Sequence, residues 1–226
     1  MTDEPADERQ LIRWAEALSA TARTGLGFTK SLYERERFEE ILEIAADIRS
    51  HVSGGFHPDR QVEAWLDDVG EGVPGYVTPK VTVGAVVGND AGEMLLVKRA
   101  DSGVWLFPTG WADVGYSPAE LVIKEVAEET GIECEVVRPI AVVDGIRRGF
   151  TRIPLVSLVF HCRQIGGTLK PHPLECADVG FFAEGSLPAP IAGAESWAEH
   201  AFRAIRGEDV GVDFDLPRSP PWRGEP

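Results

Sequence analysis

The stretch GWADVGYSPAELVIKEVAEETGI, Gly110 to Ile132, decides how the rest of the chain is read. Ser117 is an N-cap residue, Pro118 suits the first helical position, and Glu120 stands three beyond the cap, which together predict a capping box. Gly131 predicts a left-handed cap at the other end. Between them, Glu125, Glu128 and Glu129 lie three and four residues apart, so a helix of 3.6 residues per turn carries their carboxylates on one stripe. Like charges so placed repel, unless water solvates them or a cation neutralises them.

The apolar positions favour the cation. Ala119, Val122, Ile123, Val126 and Ala127 form an arc that begins beside the glutamate stripe, so the stripe is expected at the margin of a core. Partly desolvated carboxylates are costly without a cation or a donor. Oxygen donors suit Mg²⁺ or Mn²⁺, and Mg²⁺ completes its shell with water and substrate phosphate.

These residues resemble the Nudix box: a glycine, five residues, a glutamate, seven residues, arginine-glutamate, an aliphatic, any residue, two glutamates, any residue, a glycine and an aliphatic. Gly110, Glu125, Val126, Glu128, Glu129, Gly131 and Ile132 fall in register with it. Tyr116 stands where the family has its first glutamate, and Lys124 where it has arginine. In the family those two residues support each other and orient the catalytic glutamates, so the joint change reads as a swapped supporting pair, a phenol and an ammonium. GYVTPKVTVGAVV (Gly75 to Val87), GWADVGYSP and TGLGFTKSLYERERFEEILEIAADI (Thr24 to Ile48) resemble a Nudix subgroup with a helical N-terminal extension. That subgroup includes CDP-choline pyrophosphatase and ADP-ribose pyrophosphatase-like enzymes, and the likeness covers most of residues 8 to 185.

The resemblance implies a hydrolase that cleaves the diphosphate of a nucleoside diphosphate linked to another group, of the CDP-choline or ADP-ribose type, with Mg²⁺ or Mn²⁺. The competing class is a noncatalytic Nudix-fold sensor or regulator. Metal ligands would be Glu125, Glu128, Glu129 and the backbone carbonyl of Thr109, a position usually held by glycine, with Lys124 in the catalytic group. Which glutamate accepts a proton is not set by spacing. Glu175, in PHPLECADVG, is either an added acidic ligand or a solvated loop carboxylate. Arg99, Arg147 and Arg148 either hold phosphate or pair with surface acids. Trp105 and Phe107 either stack on a base or pack. The extension implies a homodimer.

The 226 residues carry 22 Lys plus Arg against 37 Asp plus Glu, a net charge of −15. That balance argues against nonspecific contact with nucleic acid or anionic membrane. Cys134, Cys162 and Cys176 lack zinc spacing and read as buried thiols. The five histidines, at 51, 57, 161, 172 and 200, lack ligand spacing. There is no GxGxxG and no nucleophile elbow, so dinucleotide redox and acyl transfer have no support. The polar, acidic first residues and the lack of a long apolar run predict a cytoplasmic chain without signal peptide or membrane span.

Two amphipathic helices are expected, on Leu11, Trp14, Ala15, Leu18 and Ala22 and on Phe38, Ile41, Leu42, Ala45 and Ile48, separated by a turn at TGLGF, with a third near Asp59 to Leu66. From Lys80 the pattern turns to strands: a hairpin about Asn89-Asp90-Ala91-Gly92, then runs at 134 to 144, 153 to 163 and 178 to 182, and a last helix from Ser196 to Ile205. The expected architecture is α/β, an α/β/α sandwich of Nudix type with a mixed sheet behind a small helical domain. The divisions are a helical extension at 1–74, the hydrolase domain at 75–210 and a proline-rich tail at 211–226.

Overall fold

The computed structural model describes residues 7–52, 57–72, 75–113 and 115–217, without the side chains of 194 and 195. The expectation of an irregular tail falls mainly on residues 218–226, outside the described residues. Two compact units emerge. The first gathers Met1–Pro79, Gly145–Pro154 and Leu216–Pro226, and the second Lys80–Asp144 with Leu155–Asp215.

In the first unit, helices α1 (Glu8–Phe28), α2 (Leu32–Ser50) and α3 (Pro58–Asp67) are joined by short connections. Asp7 caps α1 by accepting from the Gln10 amide at 2.7 Å, and Ser31 caps α2. Their shared core is Ala22, Leu26, Leu42, Ala45, Ala46 and Trp65. The turn expected at TGLGF is absent, because α1 runs on to Phe28. Its glycines serve packing: a Cβ on Gly25 would overlap the Phe38 ring, and one on Gly27 would lie 2.6 Å from the Gly70 carbonyl oxygen. A second departure is a buried ion pair. Glu16 and Arg49 meet at 2.5 Å, each side chain 11% exposed, and Arg49 also donates to the Arg152 carbonyl at 2.7 Å. Burial pushes the Glu16 carboxyl above its ordinary range despite Arg49 and Arg23.

In the second unit, eight strands make one mixed sheet: β1 (Lys80–Gly88), β2 (Met94–Arg99), β3 (Trp105–Leu106), β4 (Thr109–Trp111), β5 (Ile132–Asp144), β6 (Leu155–Gly167), β7 (Cys176–Phe182) and β8 (Asp213–Phe214). The order is β3-β2-β1-β6-β5-β8, with β4 on β1 and β7 on β2. Pairing of β1 with β6 and of β5 with β8 is parallel, and the remainder is antiparallel. The expected hairpin turn is present, with Asn89 Oδ1 accepting from the Ala91 and Glu93 amides and Gly92 at φ +75°.

Strand β1 is buried from Val83 through Gly88 because helices cover both faces of the sheet. On one face Val83, Ala85, Val87 and Leu95 pack with Leu121, Val122 and Val126 of α4 (Pro118–Thr130). On the other, Val86, Met94, Leu96, Ile140 and Val159 pack with Ala201, Phe202 and Ala204 of α6 (Ala194–Ile205). A fully buried aliphatic side chain contributes about 1.5–3 kcal/mol, so these two layers hold the sandwich together. The short helix α5 (Gly145–Arg148) leaves the sheet after β5 and belongs to the first unit. Among the described residues no helix is long and apolar enough to cross a membrane.

Candidate active site

Helix α4 is closed at both ends as its sequence requires. Ser117 Oγ accepts from the Glu120 amide at 3.3 Å, and Glu120 Oε2 accepts from the Ser117 amide at 2.6 Å. Gly131, at φ +71°, donates its amide to the Ala127 carbonyl at 2.9 Å. The buried face is Leu121, Val122, Val126, Glu129 and Thr130, rotated from the expected arc, since Ile123 is 42% exposed and Ala127 is exposed. The rotation brings Glu129 into the core face. Glu129 is 5% exposed, the Glu125 side chain 14% and the Glu128 side chain 56%.

The loop at β4 is stitched to this helix. The Thr109 amide donates to Glu129 Oε2 at 3.1 Å. A Cβ on Gly110 would overlap the Glu125 carboxyl, so glycine there is a matter of space for the glutamate. Burial is the main force that pushes Glu129 up to about 8; Glu125 and Glu175 add to it, while the Thr109 amide and Arg99 oppose it. Glu125 is also raised, first by burial, against the pull of Lys124. Glu175, an exposed residue in the turn before β7, therefore bears electrostatically on both buried glutamates.

Lys124 Nζ stands 3.1 Å from Glu128 Oε2, 3.5 Å from Asp113 Oδ2 and 3.8 Å from Glu125 Oε1. The pairing expected between Lys124 and Tyr116 is not formed: Tyr116 is 52% exposed, and Asp113 is the loop partner of the ammonium. Asp113 was not singled out from the sequence. Its signal was there, an acid in the loop three residues short of the usual glutamate position and a cation on the facing helix.

The remaining candidates are dispersed. The Arg99 guanidinium is engaged by Asp101 through two bonds of 3.0 and 2.7 Å, which hold the Asp101 carboxyl well below the usual range. Trp105 is 6% exposed and sets its edge on Phe182, and Phe107 lies over Gly84 and against Trp197, so both rings are committed to packing. Arg147 and Arg148 lie on α5 in the first unit, where Arg147 donates to the Leu216 carbonyl at 2.6 Å. Cys134, Cys162 and Cys176 are free and buried, as read from their spacing, and burial lifts the Cys176 thiol to about 11.

The donor set fits a divalent cation. Its groups are carboxylates, and two of them are desolvated beside like charges, a cost that a dication removes. Among the described residues no three acidic or other ligating side chains converge on one point, and the Lys124 ammonium occupies the space between Glu125, Glu128 and Asp113.

Comparison with known proteins gives the family of the chain. A family model described as the NUDIX domain matches residues 78–204, and one described as a UDP-X-like, N-terminal oligomerisation domain matches residues 9–66. The chain is 31% identical over 205 residues to YjhB of Bacillus subtilis (strain 168), whose name assigns it ADP-ribose pyrophosphatase activity provisionally, covering 89% of this chain and 95% of that protein. A crystal structure of UDP-X diphosphatase is similar at a TM-score of 0.56 and 28% identity, over 93% of this chain and 100% of that one. An ADP-ribose pyrophosphatase from Streptococcus suis 89-1591 is similar at a TM-score of 0.53 and 32% identity, over 61% of this chain and 100% of that one.

Proposed function

The chain belongs to the Nudix family as a pyrophosphohydrolase, and from that premise we propose that it cleaves the diphosphate of a nucleoside diphosphate joined to a sugar-like group, using Mg²⁺ or Mn²⁺. The observation that carries the reading is the pair of desolvated carboxylates, Glu125 and Glu129, held against the Thr109–Gly110 loop with Glu175 in electrostatic reach. Relatives named for ADP-ribose and for UDP-X substrates support the substrate class.

In this reading Glu125, Glu128 and Glu129 hold the cation, with the Thr109 carbonyl as a further donor. The cation would neutralise phosphate oxygens and acidify water at the diphosphate. Glu129 is oriented by the Thr109 amide, and Glu125 by the space at Gly110. Glu175, exposed and close in charge to both, is the candidate to take the proton from the attacking water. Arg99 steadies the turn through Asp101 instead of reaching for phosphate with its fork. Arg147 and Arg148 are candidate phosphate donors on α5. The match to an oligomerisation domain supports a homodimer.

The test is an incubation of the protein and Mg²⁺ with ADP-ribose, UDP-sugars and CDP-choline, with released phosphate measured after phosphatase coupling. Turnover of a sugar-bearing diphosphate is expected. Absence of turnover across the panel overturns the proposal.

A further inference from the structure

Resting on the reading of α4 as the metal-holding helix, we propose that Asp113 is a positioning residue that fixes Glu125 and Glu128 through Lys124. It takes over the supporting role that the family pattern gives to an acid at position 116.

Three acids surround the Lys124 ammonium, and two of them, Glu125 and Glu128, ride on the same helix as Lys124. Contacts within one helix cannot set that helix against anything else. Asp113 alone comes from outside, from the loop that follows β4. The loop is fixed up to that point, since the Ala112 amide donates to the Val81 carbonyl of β1 at 3.0 Å and the Asp113 amide donates to the Trp111 carbonyl at 3.0 Å. Asp113 thus presents its carboxylate from a backbone tied to β1, and Lys124 connects it to two candidate ligands.

The contact completes a series. Thr109 meets Glu129, Gly110 makes room for Glu125, and Asp113 meets Lys124, so the loop runs antiparallel to the helix and touches it at three levels. Position 116 lies beyond this run, next to the helix cap, and its tyrosine is half exposed. Residue types agree with the arrangement. An ammonium offers three rotatable donors and can serve three separate carboxylates, whereas a guanidinium presents a planar fork suited to one bidentate partner. In this chain the lysine at 124 goes with the acid at 113.

The pair is not there for stability. Asp113 is 55% exposed and Lys124 31%, and a pair so placed contributes at most about 1 kcal/mol to folding. Its effect lies in where two carboxylates point, and groups that orient metal ligands typically change affinity or activity by about 10–100-fold.

The experiment compares the full-length protein with Asp113→Asn and with the triple variant Asp113→Asn, Tyr116→Glu, Lys124→Arg. Mn²⁺ binding is followed by titration calorimetry, alongside thermal melting and kcat and KM on the preferred diphosphate. Asp113→Asn is expected to melt within about 4 °C of the parent while binding Mn²⁺ about 10–100-fold more weakly, with the loss in kcat. The triple variant, which rebuilds the pair at the family positions, recovers most of both losses. Unchanged Mn²⁺ binding in Asp113→Asn, or failure of the triple variant to recover it, overturns the proposal. If Mn²⁺ binding responds as expected but no diphosphate is turned over, the functional reading fails and the positioning role stands. Turnover by a parent whose Mn²⁺ binding ignores Asp113 is the reverse. A parent that binds no Mn²⁺ overturns both.

Discussion

At the scale of single residues, the site depends on what a few atoms leave room for. Gly110 has no Cβ where the Glu125 carboxyl lies, so Gly110→Ala must displace that carboxyl. The expected result is a loss of activity of about 10–100-fold with little change in melting temperature, since the displaced group is at the core margin. Glu129→Gln removes the charge of a proposed ligand at almost constant volume; activity should fall by a few orders of magnitude with the circular dichroism spectrum preserved. Near-full activity would refute the site. His161 offers a test of electrostatics away from the glutamates. Burial, and then Arg138, lower its pKa, so the fold prefers the neutral ring. A lowered folded value means that its stabilising contribution is complete above the unfolded value of about 6.5 and is lost as pH falls below it. Between pH 8 and pH 5.5 the parent should therefore lose more melting temperature than His161→Gln, and equal losses would argue against a half-buried neutral imidazole.

At the scale of elements, α4 shows how much a local sequence carries. Its cap, its box and its left-handed end were all written in Ser117, Pro118, Glu120 and Gly131, because these signals act within four residues of themselves. Ser117→Ala should cost about 1 kcal/mol, which a thermal melt reads as about 2–4 °C. A melt identical to the parent would mean that Glu120 and the core hold the helix start without the cap. What the local sequence could not carry is which side of α4 faces inward. Ile123 is as apolar as Val122, yet it is exposed and Glu129 is buried, because the sheet and the β4 loop choose the face. The glycines of TGLGF mark the same boundary of inference. A glycine pair reads as a turn, while here the two are spaces for the Phe38 ring and for the backbone at Gly70 inside a continuing helix.

At the scale of the whole molecule, the match of residues 9–66 to an oligomerisation domain leads to a prediction of assembly. Light scattering at micromolar concentration should give twice the mass of the 226-residue chain, and a monomer would count against the homodimer. The sequence by itself determined the class of fold, the mixed order of strands and helices, the capped glutamate-bearing helix and the family, because periodicity, caps and box spacing are properties of neighbouring residues. Tertiary structure alone set Trp105 against Phe182 and Phe107 against Trp197, put the fork of Arg99 on Asp101, and brought Asp113 rather than Tyr116 to Lys124. It also decided that Glu129 is the most deeply buried of the three glutamates. These are contacts between segments that the chain brings together only on folding. Their energies depend on distance and burial, and no count along the sequence contains either.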